Sequence, residues 1–299
     1  MIKKIIIIGG ATATEKTQLA FKIAEKYPSV VINADSMQVY KDLKILSNRP
    51  SFSSFNGIEN KLYGVLNLPD SADLGWWYNI ARKEIKNAQN KNKIPIIVGG
   101  TGLYLNSIEK NVSFVPIIKS NIRDQVRKIY SLKGINFLYK KLVEVDFPIS
   151  KKIHFNDKHR ILRALEVKLS TGKSLSYWRR DDSLSISDDY LFVILKTDRE
   201  TLYKNIDNRF KEMIKKGLIE EVREFMKKKV CAEHPINKMI GLKHIKKFIL
   251  GDLSLDEAIS FSQRDSRRYA KRQITWFNHQ PQNAQHLTFS SAYNLLTKC

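Results

Sequence analysis

The run KIIIIGGATATEKT at residues 4–17 constrains this chain more than any other stretch. Four consecutive isoleucines, Ile5 to Ile8, lead into two glycines, and Leu19, Ala20, Ile23 and Ala24 then recur at three-to-four spacing. This predicts a buried strand that turns sharply into a helix. Such a turn is the geometry of a phosphate cradle, in which backbone amides wrap the anion, a lysine neutralises it and a hydroxyl reaches Mg²⁺. Gly10, Lys16 and Thr17 stand at the offsets of that loop, with Ala11, Thr12, Ala13 and Thr14 between them. Position 15, where the pattern has its second glycine, is Glu. A carboxylate there adds like charge beside an anion, and its Cβ occupies space where close backbone approach is wanted. The loop is therefore degenerate as a pattern, although the helix N-terminus behind it favours anions by itself. A strand-turn-helix without a ligand is the competing reading.

The 299 residues, 42% of them hydrophobic, suffice for one large domain or two modest ones with a true core. Against 30 acidic residues stand 52 Lys and Arg, a formal charge of +22. A polyanionic partner follows, nucleic acid before an anionic membrane surface. Biased coding composition, which would also enrich Lys, Ile and Asn, competes with that reading. Cys231 and Cys299 are too few and too far apart for a disulfide framework or zinc cluster, and the six histidines show no paired spacing, so no protein-built metal cage is expected. The apolar run at the N-terminus breaks at Gly9 and no stretch approaches membrane-spanning length. A cytoplasmic protein without a membrane partner is expected.

Ser29 to Asp35 predicts a second buried strand with Asp35 at its C-terminal end, followed by the polar run Ser36, Met37, Gln38. Ligands gather at the carboxyl ends of strands in open α/β sheets, so Asp35 is well placed for chemistry, although short acids also cap turns. Leu62 to Leu68 suggests an edge strand, and 76–90 a helix. Ile94 to Val98 is a third central strand running into Gly99, Gly100, Thr101 and Gly102, which brings Thr101 to the same edge as Gly10 and Asp35. Strand and helix alternating through glycine turns implies an α/β fold, a P-loop-type parallel sheet with crossover helices. From 116 to 189 three helical stripes replace that rhythm and predict a helical insertion domain, leaving 1–115 with 190–299 as the core domain. On the third stripe His159, Arg160 and Arg163 lie within one turn of each other. Tyr190 to Leu195 returns to strand, and the next helix carries Arg209 on its polar side. The last helix opens on a Ser254/Glu257 capping box. It runs through Lys271, Arg272, Gln273, Trp276 and Phe277, offering cations for phosphates and flat faces for bases. A basic amphipathic helix with its aromatics in the core is the alternative.

Together these segments resemble the tRNA dimethylallyltransferases, which prenylate an adenosine beside the tRNA anticodon. The likeness runs from Gly10 to Asn278 and rests on DSMQ at 35–38, VGGTGLY at 98–104, DKHRILRALEV at 157–167 and RYAKRQITWF at 268–277. It implies transfer rather than ATP hydrolysis: dimethylallyl diphosphate in the cradle, its C1 attacked by N6 of the adenosine 3′ of the anticodon. By this resemblance Asp35 is the base, and Thr101 and Arg163 stabilise the reacting groups. Gly10, Ala11, Thr12, Ala13, Thr14, Glu15, Lys16 and Thr17 form the diphosphate cradle, Arg209 reaches the diphosphate, and Thr17 holds Mg²⁺. The tRNA anticodon stem-loop would be met by Asp35, Ser36, Met37, Gln38, Thr101, Arg123, His159, Arg160, Ile161, Leu162, Arg163, Lys271, Arg272, Gln273, Trp276 and Phe277, and more loosely by 238–243. A monomer is implied.

The departures fall on the diphosphate side. Ala11, Thr14 and Glu15 replace the family's Pro, Ser and Gly; Ile45 to Pro50 replaces Ile-Gly-Thr-x-Lys-Pro; Asn60 to Tyr63 replaces a His-His-Leu region. Loss of one charge-assisted hydrogen bond at Glu15 would weaken the donor by roughly 1.5 to 3 kcal/mol, or about ten- to a hundredfold. A non-catalytic tRNA-binding relative, a P-loop kinase of a small molecule and a prenyltransferase of free adenine nucleotides are the competing functions.

Overall fold

The computed structural model describes residues 4–109, 115, 118, 120–178 and 189–298. Cys299 and the stretches 116–117 and 179–188, where the helical insertion was expected to begin and end, lie outside the described residues. In chain order the elements are β1 (Ile5–Gly10), α1 (Lys16–Lys26), β2 (Ser29–Asn33), β3 (Glu59–Lys61), α2 (Leu74–Asn90), β4 (Ile94–Val98) and α3 (Gly102–Glu109). The insertion contributes α4 (Ser120–Val145), α5 (Phe147–Ser150), α6 (Lys158–Thr171) and α7 (Leu175–Trp178). There follow β5 (Tyr190–Leu195), α8 (Arg199–Lys215), α9 (Leu218–Lys227), α10 (Leu242–Ile249), α11 (Leu255–His279), β6 (Gln285–Leu287) and α12 (Phe289–Leu296).

The strands form one parallel sheet in the order β3-β2-β4-β1-β5-β6. β1, β2 and β4 are buried at every position, which is why they read as unbroken apolar runs: crossover helices cover both faces. The connection out of β1 passes to one side and that out of β4 to the other, so the crevice between them opens at their carboxyl ends. Part of the core lies between the sheet and α1, where Leu19, Ala20 and Ile23 meet Ile6, Ile8 and Ile96.

Two readings change. The edge strand is Glu59–Lys61, not 62–68, because Leu62 and Gly64 take φ of 65° and 60° and turn the chain out of the extended conformation. Of the expected strand only a single bridge, Tyr40 to Leu66, remains. Beyond α11 the chain adds β6 and α12, whose Ala292 and Leu296 close the core over α1.

The described chain divides into two compact units, one of residues up to Glu109 and from Asp189 onward, the other of the residues between. The second unit has its own core, in which Val126, Leu138 and Leu142 of α4 pack with Ile161 and Leu165 of α6. Gly134 (φ 72°) breaks α4 in two, while α6 runs unbroken from an Asp157 cap to Gly172 at φ 71°. Among the described residues no helix is long and apolar enough to cross a membrane.

Candidate active site

β1 ends at Gly10, with φ 146°, where a Cβ would lie 3.0 Å from the Leu195 carbonyl oxygen. The loop that follows folds back on itself: Thr14 Oγ1 donates to the Ala11 carbonyl at 2.9 Å and Lys16 Nζ to the same oxygen at 2.5 Å. Ala13 and Glu15 stand at φ 65° and 61°, in the left-handed region. Glu15 is the residue before α1; its side chain is exposed and makes no capping bond. The cost of losing glycine here is thus in the backbone, about 1 to 2 kcal/mol for a side chain held in that region.

Asp35 is aimed by its neighbours. Buried Asn33 accepts the Asp35 N–H at 2.9 Å and donates to the carbonyls of Asp35 and Leu62, both at 3.0 Å. Asp35 Oδ1 accepts the Met37 N–H at 2.9 Å. Thr101 joins through Ser36: its Oγ1 accepts the Ser36 N–H at 2.9 Å and donates to Ser36 Oγ at 3.2 Å. Gly99 lies directly on the end of β2, since a Cβ there would fall 2.1 Å from the Ala34 carbonyl oxygen.

Around this crevice is a cavity of about 590 Å³. Thr12, Lys16, Thr17, Asp35 and Arg209 give it a polar wall; Leu46, Phe210, Met213, Met239 and Ile240 give it an apolar one. Leu46 is held there by Glu221 of α9, which accepts the Ile45 and Leu46 N–H groups at 2.7 and 2.9 Å. Burial brings the Lys16 ammonium down to about 7, against the pull of Asp35, with Arg209 adding to the fall. Burial likewise raises the Asp35 carboxyl, opposed by the Met37 amide and by Lys16 and Arg209, and lowers Arg209 to about 10. Two cations and one carboxylate therefore share a site poor in water, where each feels the others strongly. Two cationic side chains facing one cavity suit an anionic ligand.

A second hollow of about 580 Å³ runs along α11, lined by Arg268, Lys271, Arg272, Thr275, Trp276, His279 and Gln280. Arg272 lines both cavities.

Residues 38–280 match the family model described as IPP transferase, and residues 3–64 match one described as isopentenyl transferase. The chain belongs to the IPP transferase family. A tRNA dimethylallyltransferase of Pelagibacter ubique is 40% identical over 274 residues, spanning 91% of this chain and 88% of the relative. One from Ehrlichia chaffeensis is 34% identical over 284 residues, spanning 95% and 93%. Among solved structures, a tRNA isopentenylpyrophosphate transferase of Bacillus halodurans is similar with a TM-score of 0.69 at 26% identity, covering 99% of this chain and 96% of that one. A eukaryotic dimethylallyltransferase acting on tRNA reaches 0.82 at 27% identity, covering 99% and 76%.

In this IPP transferase the cradle residues Thr12, Ala13, Glu15, Lys16 and Thr17 line the main cavity with Asp35, Ser36, Met37, Gln38 and Arg209, while Ala11 and Thr14 are buried behind it. Several expected RNA contacts need correction. Phe277 is 2% exposed and packs against Gly9, so its ring belongs to the core. Ile161 and Leu162 are buried in the helical unit, which removes their side chains from any RNA surface. Gln273 is 6% exposed and lines the main cavity rather than the α11 hollow, and it takes up the Thr12 N–H, which is thus not a free donor for phosphate. Lys271, Arg272 and Trp276 do reach the α11 hollow. In the helical unit His159 and Arg160 are exposed, and Arg123 and Arg163 act with Arg127 on the buried carboxyl of Glu166. Sequence reading missed Asn33, Glu221 and the apolar wall. The stripe of buried Ser266, Ala270, Gln273 and Phe277, at spacings of four, three and four, could have shown which face of α11 turns inward.

Proposed function

We propose that this protein transfers a dimethylallyl group from dimethylallyl diphosphate to N6 of the adenosine 3′ of the anticodon in tRNA. The observation that carries the reading is one cavity holding the Asp35 carboxylate with Lys16 and Arg209, bordered through Arg272 by a basic, aromatic hollow. An adenine inside a stem-loop is reached only by flipping it into such a pocket, with Trp276 and the cations of α11 available to the strand left outside.

The chemistry balances within the cavity. N6 of adenine forms a bond to C1 of the donor as the C1–O bond breaks, and the bonding pair leaves with the diphosphate. The N6 proton passes to Asp35, whose position is fixed by Asn33 and the Met37 amide. Lys16 and Arg209 neutralise the charge that grows on the leaving oxygen, where low water content makes each contact count. Thr101, seated on Ser36, supports the acceptor side. The helical unit's Arg123, His159 and Arg160 and the α11 residues Lys271, Arg272 and Trp276 hold the tRNA.

The residues present fit Mg²⁺. Thr17 and Asp35, whose side chains carry oxygen donors, both line the cavity. Such a sparse set suits an ion that keeps its waters and takes its remaining ligands from substrate phosphates. Thr17 would hold it, and the ion would supply further charge for the leaving diphosphate.

The test is to incubate the protein with undermodified tRNA, Mg²⁺ and dimethylallyl diphosphate and to analyse the nucleosides by mass spectrometry. Prenylated adenosine is expected, and Asp35→Asn should lower kcat by about 10² to 10⁴ while tRNA and diphosphate still bind. Bound tRNA without product from the unaltered protein would make it a non-catalytic binder.

A further inference from the structure

We infer that Gln273 is a positioning residue of the anion cradle and not a contact for RNA. It lies on the inward face of α11 and is 6% exposed. Its Oε1 accepts the Thr12 N–H at 2.8 Å, and its Nε2 donates to the Gly100 carbonyl at 2.7 Å. One amide thus joins the loop after β1 to the turn after β4, across a fit so close that a Cβ on Gly100 would lie 2.5 Å from Nε2.

The loop has particular need of such a brace. Ala13 and Glu15 hold it in a left-handed conformation that glycine enters freely and side-chain-bearing residues resist. Strain of this kind persists only where the surroundings over-determine the backbone. The bonds of Thr14 and Lys16 to Ala11 lie within the loop's own segment and would move with it, whereas Gln273 ties it to a separate helix. Gly102, against which Trp276 packs, and Gly100, against which Gln273 packs, flank Thr101, so the same helix also fixes the turn that carries that hydroxyl. Gln273 lines the main cavity and not the hollow that holds Arg268 and Lys271, so it stands on the donor's side of α11. Loss of the Gln273 amide should therefore reach the donor and leave the RNA alone. The inference leans on the transferase reading only for what the cradled anion is.

Gln273→Met keeps the length of the side chain and removes the amide. It should weaken inorganic diphosphate about tenfold, lower kcat by a similar factor or more, and hold the Kd for tRNA within about twofold. Adding Glu15→Gly, which relieves the loop, should recover most of the diphosphate affinity. A fall in tRNA affinity with diphosphate binding intact would make Gln273 an RNA contact and overturn the inference, as would no change in either. Should Gln273→Met not fold, hydrogen exchange on the unaltered protein decides: the Thr12 amide should be protected in the free protein and stay so with tRNA, and exchange at the rate of an open loop would overturn the brace. An unaltered protein that binds diphosphate but transfers nothing would sink the transferase reading; the brace would still stand on the diphosphate affinities.

Discussion

Lys16 has to be charged to hold an anion, yet it lies where a charge is poorly solvated. In the free protein burial, the largest influence, brings it to about 7, and Asp35 only partly offsets this. A diphosphate favours the protonated form, so Lys16 in the complex titrates above that value. Between the two, binding takes up a proton, and affinity should fall by up to about tenfold per pH unit as pH rises through 7. Lys16→Arg keeps its charge across this range and should flatten the profile. Calorimetric titration of inorganic diphosphate into both proteins from about pH 6 to 9 checks this; parallel profiles would refute it. Stability moves the other way. An unfolded lysine keeps its proton up to 10.5 while the folded one loses it near 7, so the unfolded state binds more protons in that window and Lys16 adds stability as pH rises through it.

At the scale of elements, the sheet and α11 meet the two glycine turns with no space to spare. Gly99→Ala would bring a Cβ within 2.1 Å of the Ala34 carbonyl oxygen, backbone that no rotamer change can clear. We expect a loss of at least about 3 kcal/mol in denaturant unfolding, at the upper end of what overpacking costs. Gly57→Ala, with φ 81° and nothing within 4 Å, should cost only about 1 to 2 kcal/mol through its backbone. A Gly99→Ala protein as stable as the Gly57→Ala one would contradict the packing. β1, β2 and β4 were legible in the sequence because strands covered on both faces must be apolar throughout and end on turn residues. β3 was not: Glu59, Asn60 and Lys61 form a short polar edge strand with no hydrophobic signature, while the apolar stretch after it is bent by Leu62 and Gly64. The site divides similarly. Lys16, Thr17 and Asp35 follow from spacing within a few residues of a strand end. Glu221 reaches Ile45 across 176 positions and Gln273 reaches Thr12 across 261, distances at which no local pattern exists. The motif around Gln273 and Phe277 was recognisable as a string, but a string does not say which of its members face inward.

The whole molecule is a sheet unit interrupted by a helical one, and each has its own core. The insertion leaves after Glu109 and β5 begins at Tyr190, and these two residues meet: Tyr190 Oη donates to Glu109 Oε1 at 3.3 Å, and the Asn283 N–H donates to the same oxygen at 2.9 Å. A short flexible linker could close that gap, since loop closure grows costly only slowly with length. Every described residue that lines the main cavity belongs to the sheet unit. Replacing residues 111–188 by a few Gly and Ser should therefore leave a folded protein that binds inorganic diphosphate within about threefold of the intact chain. It would lack Arg123, His159, Arg160 and Arg163, so tRNA affinity should drop by about tenfold or more, and every RNA phosphate left without its cation should lower the slope of log Kd against log salt by about 0.7 to 0.9. Circular dichroism, diphosphate calorimetry and tRNA binding at several salt concentrations read the three parts separately. A shortened chain that folds and keeps full tRNA affinity with an unchanged salt slope would put RNA recognition wholly on the sheet unit, with α11 as its main surface.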